Sequence, residues 1–374
     1  MSTQTQIRAR NLILGALVAD AAAMGLHWLY DQDRIQEVAP EAPEFLPPTK
    51  AHFDGFPAFF AHPDRVSGEQ SQYGEQALVM ARALAANYGA YDQALYLEHF
   101  AAHFGYGGKY VGYIDHATRG TLDIVRRADD ETTARAKAIP FDGEASVTTA
   151  MIGKAKSTIK QYDPAEQRQK FEQAVRMTHD DDALLAYGFQ IFDIFLTAET
   201  VYGPEDQQMP AIAKLPALVA VQALQPLEQD TVLASALSAV RTTSDHPRSI
   251  AYAPVCAAMM QAAVQGQDIA GVVAAGRALA NEEIDALLAT ALTMLDQPST
   301  QVTKHFGMAC DLRYGVPSVV HNLSSTSDYT TAIRNNIYGG GDNCGRSILV
   351  GAIAGAVYGV GGDNGIPLAW IEKL

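Results

Sequence analysis

Cysteine is scarce in this chain. The three present, Cys256, Cys310 and Cys344, have no paired spacing and no metal-type spacing. A disulfide framework is excluded, and reduced thiols in a cytoplasmic setting are the expectation. Charge is low as well, with only 18% of residues charged against 48% hydrophobic. That balance excludes a disordered chain and requires a folded body with a large core. Positive charge is the scarcer sign, leaving a formal net charge of −15. Such a surface repels phosphate backbones, so nucleic acid is not an expected partner. No charge-free apolar run reaches the length of a membrane span, so no membrane is expected either. Arg8 and Arg10 ahead of Leu12–Val18 imitate a secretory signal, but Asp20 interrupts the run and the helical pattern continues beyond it. Missing too are a Ser-His-Asp elbow, a phosphate-binding P-loop and a dinucleotide fingerprint.

Strand signals are nearly absent. Ala-rich stretches with apolar residues three or four apart recur from end to end, each stopped by Gly, Pro or Asx clusters. They predict an all-α, single-domain, multi-helix orthogonal bundle over residues 1–374. Fifteen helices are expected, beginning with Ile7–Leu29 and Glu75–Asn87 and closing with Cys344–Tyr358. One long irregular stretch, Asp33 to Gln70, carries Phe53, Phe56, Phe59 and Phe60. Its aromatics predict a flap packed on the helical body.

The turn Gly339-Gly340-Gly341-Asp342-Asn343 holds more glycine than a helix cap needs. In the helix after it, Ser347, Gly351, Gly355 and Gly359 recur every fourth residue, leaving one face nearly bare. Gly15, Ala19 and Ala23 give the first helix a matching face, so the two predict a very close helix pair. Asp20 amid Leu12–Leu26 needs a partner, because an unpaired buried charge is costly. Asp20, Met24 and His27 share one side of that helix. Two further polar segments stand before helices. The first runs Ser67 to Gln76 and includes Gln72, Tyr73 and Glu75. The second runs Gly107 to His116 and carries Tyr113, Asp115 and His116, a set suited to a sugar or phosphate. The acidic run Thr178-His179-Asp180-Asp181-Asp182 reads as helix-dipole chemistry rather than a metal cluster.

Taken together these motifs resemble the ADP-ribosylglycohydrolase family, including its crystallin-like branch. Gly15-Ala16-Leu17-Val18-Ala19-Asp20 resembles the family's opening motif, and Gln76-Ala77-Leu78 continues its second. Thr178-His179 falls where many members carry Thr-His. Ala332-Ile333-Arg334 through Gly340-Gly341-Asp342, then Gly351-Ala352-Ile353-Ala354-Gly355-Ala356, resembles its closing motif. The segment from Ile366 to Leu374 is similar to its usual ending. The resemblance implies an all-α fold with a central cleft. It also implies two magnesium ions held by carboxylates and hydroxyls that orient ribose and a water for glycosidic cleavage.

The ligand positions depart from the family pattern. Its Thr-Asp-Asp-Thr falls on Gln72-Tyr73-Gly74-Glu75, its closing Asp-x-Asp-Thr on Asp342-Asn343-Cys344-Gly345, and a family Glu on His27. Only Asp342 is kept, with Glu75 one position off as a substitute. No cofactor is therefore expected, although magnesium is the family's rule. Zinc on His27, Asp342 and Cys344 is the alternative. The expected activity is metal-independent cleavage of a glycosidic bond in a ribosyl or nucleotide-sugar-like small molecule. Glu75 or Asp342 would serve as base and His27 or Tyr73 as acid. Substrate contacts would come from Asp20, Gln72, Tyr113, Asp115, His116, Asn343, Cys344 and Arg346. The alternative is a catalytically inactive ligand-binding or crystallin-like structural protein on the same fold.

Overall fold

A computed structural model describes residues 2–161 and 164–374. Among the described residues there are eighteen α-helices, three short 3-10 turns and no β-strand, only isolated bridges. Two compact units are distinguished: 1–121 with 202–374, and 122–201. The second has a small core of its own in which Phe171, Phe192, Met151 and Ile191 are fully buried. There Asp181 caps the helix Asp182–Leu196, which is the dipole role expected of the acidic run.

Six helix starts in the first unit share one device. Asp92, Asp268, Asn281, Asp311, Asp328 and Asp342 each stand just before a helix and accept a backbone N–H from its first turn. The helix Asn343–Tyr358 is buried continuously from Asn343 to Ala356. A helix apolar on every side belongs at the centre of a core, and this one lies there. Against it packs the first helix, Thr3–Ala23, which a 3-10 turn, Met24–Leu26, carries on to His27. Thr3–Leu26 is long and apolar enough to cross a membrane, but 78% of its most apolar window is buried inside the protein.

The predicted bare faces meet. A Cβ on Gly15 would lie 2.1 Å from the Gly351 carbonyl oxygen, and one on Gly351 would lie 2.3 Å from that of Gly15. The two backbones touch with no room for a side chain. This contact sets His27, at the end of one helix, beside Asp342, at the start of the other.

The stretch expected to be irregular holds one short helix, Gln32–Val38, and a turn at Lys50–His52. It is a packed segment, as its aromatics predict. Phe53 is buried against Phe60, and the Arg34 guanidinium covers Phe56. Backbone bonds from Tyr30 N–H to the Pro57 carbonyl and from Phe59 N–H to the Trp28 carbonyl dock it beside His27.

Candidate functional site

The glycine turn is built around Arg346. This guanidinium is fully buried and donates through Nε to Asn336 Oδ1 at 2.8 Å and through Nη2 to the Gly340 carbonyl. Gly340 and Gly341 adopt φ of +68° and +61°, which explains why glycine stands there. Gly341 exchanges backbone bonds with the segment after the first helix: Trp28 N–H reaches its carbonyl at 2.8 Å, and its own N–H reaches Leu29 at 2.8 Å. Trp28 is held at φ +63°, a left-handed conformation rare for a bulky residue. Strain of this kind concentrates at functional sites.

Asp342 is the centre of the cluster. Its Oδ1 accepts from the Tyr73 hydroxyl at 2.9 Å, from His27 Nε2 at 3.0 Å and from the Gly345 N–H at 3.2 Å. His27 Nδ1 lies 2.8 Å from Nε2 of His62, which comes from the aromatic segment. His27, Tyr73 and Asp342 are all at 0% exposure. Burial, outweighing the pull of Asp342, lowers the His27 pKa, so the ring is neutral. His62 is driven well below the ordinary histidine value by burial, then by His27 and Arg65. Burial pushes Tyr73 well up, so its hydroxyl stays a donor. One chain of proton assignments follows. Asp342 must accept, so His27 carries its proton on Nε2; its Nδ1 then accepts, so His62 carries its own on Nε2. Over the cluster lie Trp28, Phe59 and Tyr113, with ring centroids 5.0–5.6 Å apart.

The sequence brought three of its four catalytic candidates to this point, and the fourth is a correction. Glu75 follows Tyr73 by two positions on the helix Gln72–Ala86, which turns it to the far side. There it pairs with His103 Nε2 at 2.9 Å and Arg65 Nη2 at 3.2 Å. Its pKa is lowered: burial opposes this, but the bonds and charges of His103, Arg65 and Arg82 outweigh it. Glu75 does not face Asp342.

The other candidates separate too. Asp20 is fully buried and holds Ser71, the cap residue of the helix Gln72–Ala86, accepting from Ser71 N–H at 2.7 Å and Ser71 Oγ at 2.6 Å. Burial, countered by those bonds, raises it to about 7. Asp115 itself caps the helix His116–Lys137 through Thr118 N–H at 2.6 Å. His116 is exposed, 3.6 Å from Asp206, and turned away from the cluster. Asn343 Nδ2 bonds the Leu26 carbonyl. Cys344 Sγ faces the Asp20 carbonyl at 3.9 Å, and burial pushes its thiol well up. The zinc set His27-Asp342-Cys344 is therefore not assembled. Among the described residues no group of three His, Cys, Asp or Glu could hold a metal ion.

The two magnesium ions that the family resemblance implies would need oxygen ligands gathered around Asp342. Hard cations want several oxygen acceptors. The groups turned toward Asp342 are donors, a phenol, an imidazole N–H and an amide N–H.

His62 was not legible in the sequence. It sits in the irregular segment, 35 residues from its partner, with no periodic signal. Lys214 was missed as well. It is fully buried near Asp115 and Asp206, and burial brings it down to about 7.

Comparison with known proteins bears on the family and the fold. The sequence profile of the ADP-ribosylglycohydrolases matches residues 1–192 and 198–374. Crystallin J1A of Tripedalia cystophora is 24% identical over all of this chain and 93% of its own length. Crystallin J1B of the same animal is 34% identical over a shorter stretch, 29% of this chain and 31% of that protein. An ADP-ribosylglycohydrolase-related protein complex includes a chain with the same fold, at a TM-score of 0.51 and 15% identity over all of this chain and 94% of that one. The close glycine helix pair, the closing motif and the profile match over nearly the whole length together place this chain in the ADP-ribosylglycohydrolase family.

Proposed function

We propose that this chain is a metal-independent member of its family that holds a small ribosyl-type molecule and does not hydrolyse it by the two-magnesium route. The observation that carries this reading is the bonding of Asp342. The carboxylate kept from the ligand motif receives three hydrogen-bond donors on one oxygen. Glycosidic hydrolysis by two carboxylates requires both to flank one bond. Glu75 is paired with Arg65 and His103 instead, so the second carboxylate is absent from the cluster. Full-length similarity to a crystallin supports a branch without turnover. A cytoplasmic setting is part of the proposal, on the three unpaired cysteines.

The test is incubation of the purified protein with ADP-ribosylated protein, with magnesium and with EDTA, alongside a thermal-shift titration with ADP-ribose. A stabilising shift with no release of ADP-ribose supports the proposal. Magnesium-dependent release overturns it.

A second reading, metal-independent cleavage, is favoured by one observation. Asp342, His27 and His62 form a carboxylate-oriented imidazole chain, the arrangement that makes a general base. Turnover that persists in EDTA and is lost in His27→Ala would establish it.

A further inference from the structure

The Asp342 cluster is closed to solvent. His27, Tyr73 and Asp342 are at 0% exposure, and His62 is at 2%. A ligand that reaches these groups must first displace something that covers them. Much of the surrounding wall is core and cannot give way locally. The helix Asn343–Tyr358 is pinned by the backbone contact of Gly351 with Gly15. Tyr73 stands on the helix Gln72–Ala86, whose cap residue Ser71 is held by Asp20. Trp28 donates its N–H to the Gly341 carbonyl, so it stays with the glycine turn.

Residues 57–62 cover His27 from outside and are held differently. Pro57 and Phe59 are exposed, and so is Pro63 just beyond. Three hydrogen bonds tie the segment to what lies beneath it. Tyr30 N–H reaches the Pro57 carbonyl at 2.9 Å, Phe59 N–H reaches the Trp28 carbonyl at 3.0 Å, and His27 Nδ1 lies 2.8 Å from His62 Nε2. Ring contacts complete the attachment: His62 stacks on His27 at 5.1 Å, and Phe59 meets Trp28 and Tyr113 at 5.6 Å. The prolines at either end have no backbone N–H to add. Local opening is cheapest where few buried contacts and few backbone bonds must break.

We propose that residues 57–62 are a strap that opens while the helices beneath stay folded, and that this opening admits the ligand to His27 and Asp342. Opening breaks the three bonds named above and leaves the Tyr73–Asp342 bond in place. His62 departs, and His27 Nδ1 becomes a free acceptor facing the incoming molecule. The inference deepens the ligand-binding reading above and rests on it only for the existence of a ligand.

The experiment is amide hydrogen exchange on the full unliganded chain, followed residue by residue by NMR. The N–H groups of Tyr30 and Phe59 report the strap. Those of Trp28 and Gly341, which bond the Gly341 and Leu29 carbonyls, report the body. Corrected for intrinsic rates, the strap pair should exchange at least about a hundredfold faster than the body pair, because it needs only a local opening. His62→Ala should speed the strap pair about tenfold further and leave the body pair unchanged. Exchange of all four amides at one rate in the unaltered protein would overturn the proposal, and so would equal acceleration of all four in the variant. Ligand entry is read separately, as the association rate of ADP-ribose. It should rise about tenfold in His62→Ala, in step with the open fraction. Faster strap exchange with an unchanged association rate would overturn the admitting role. Failure of ADP-ribose to bind either protein overturns the reading beneath, and the exchange pattern still decides whether the strap opens.

Discussion

Tyr73 and Asp342 are 269 residues apart in sequence and share a 2.9 Å hydrogen bond in which the phenol donates to the carboxylate. That bond is one of three that Asp342 Oδ1 accepts at the centre of the cluster. Removing the hydroxyl in Tyr73→Phe leaves Asp342 Oδ1 with two donors. The loss of a buried bond to a charged group should cost about 2 kcal/mol. Urea unfolding of the variant and the unaltered protein, side by side, checks this. An unchanged midpoint would mean that the bond adds nothing to stability.

Asp342→Asn removes the negative charge that does most to offset the burial of Arg346. Burial already works against that guanidinium, and Asp342 is the first of the groups that oppose it. Breaking the compensation of a buried charge should cost about 3 kcal/mol or more. Asn keeps the shape of the helix cap, so the loss reports charge. Chemical denaturation at neutral pH measures it, and Arg346→Met in the same background should restore part of the loss.

The helix pair gives a paired prediction. Gly351→Ala puts a methyl 2.3 Å from the Gly15 carbonyl oxygen, so the helices must part, at a cost of about 3 kcal/mol. Gly153→Ala, in the helix Ala145–Gln161, meets nothing within 4 Å and should stabilise by about 0.5–1 kcal/mol. Thermal melts of both variants separate close packing from helix propensity.

Stability should depend on pH through Lys214. Burial lowers its pKa from 10.5 to about 7, while Asp115 and Asp206 pull the other way. Between those values the unfolded chain binds a proton that the folded one lacks, so stability rises with pH across that window. Lys214→Met should flatten the rise. Denaturant midpoints taken from pH 7 to 10 test the slope in both proteins.

Much of this was legible because it is periodic. Gly15, Ala19 and Ala23, and Gly351 with Gly355, announce a close helix pair by spacing alone, and the pair forms. Short elements carry no such signal. Ser299–Phe306 is a polar two-turn helix, and Gln32–Val38 lies in the stretch read as irregular. The site was half legible. Tyr73, His27 and Asp342 meet because motif positions that lie together in the family fold still lie together here. Glu75 was misplaced because sequence adjacency to Tyr73 is not adjacency on a helix, where two residues point roughly opposite ways. His62 was invisible because a loop histidine finds its partner only through tertiary structure.

The most direct test of the central claim is turnover of an ADP-ribosylated protein measured in magnesium and again in EDTA. The bonding of Asp342 predicts no magnesium-dependent release of ADP-ribose. Release that needs magnesium and stops on chelation would contradict it.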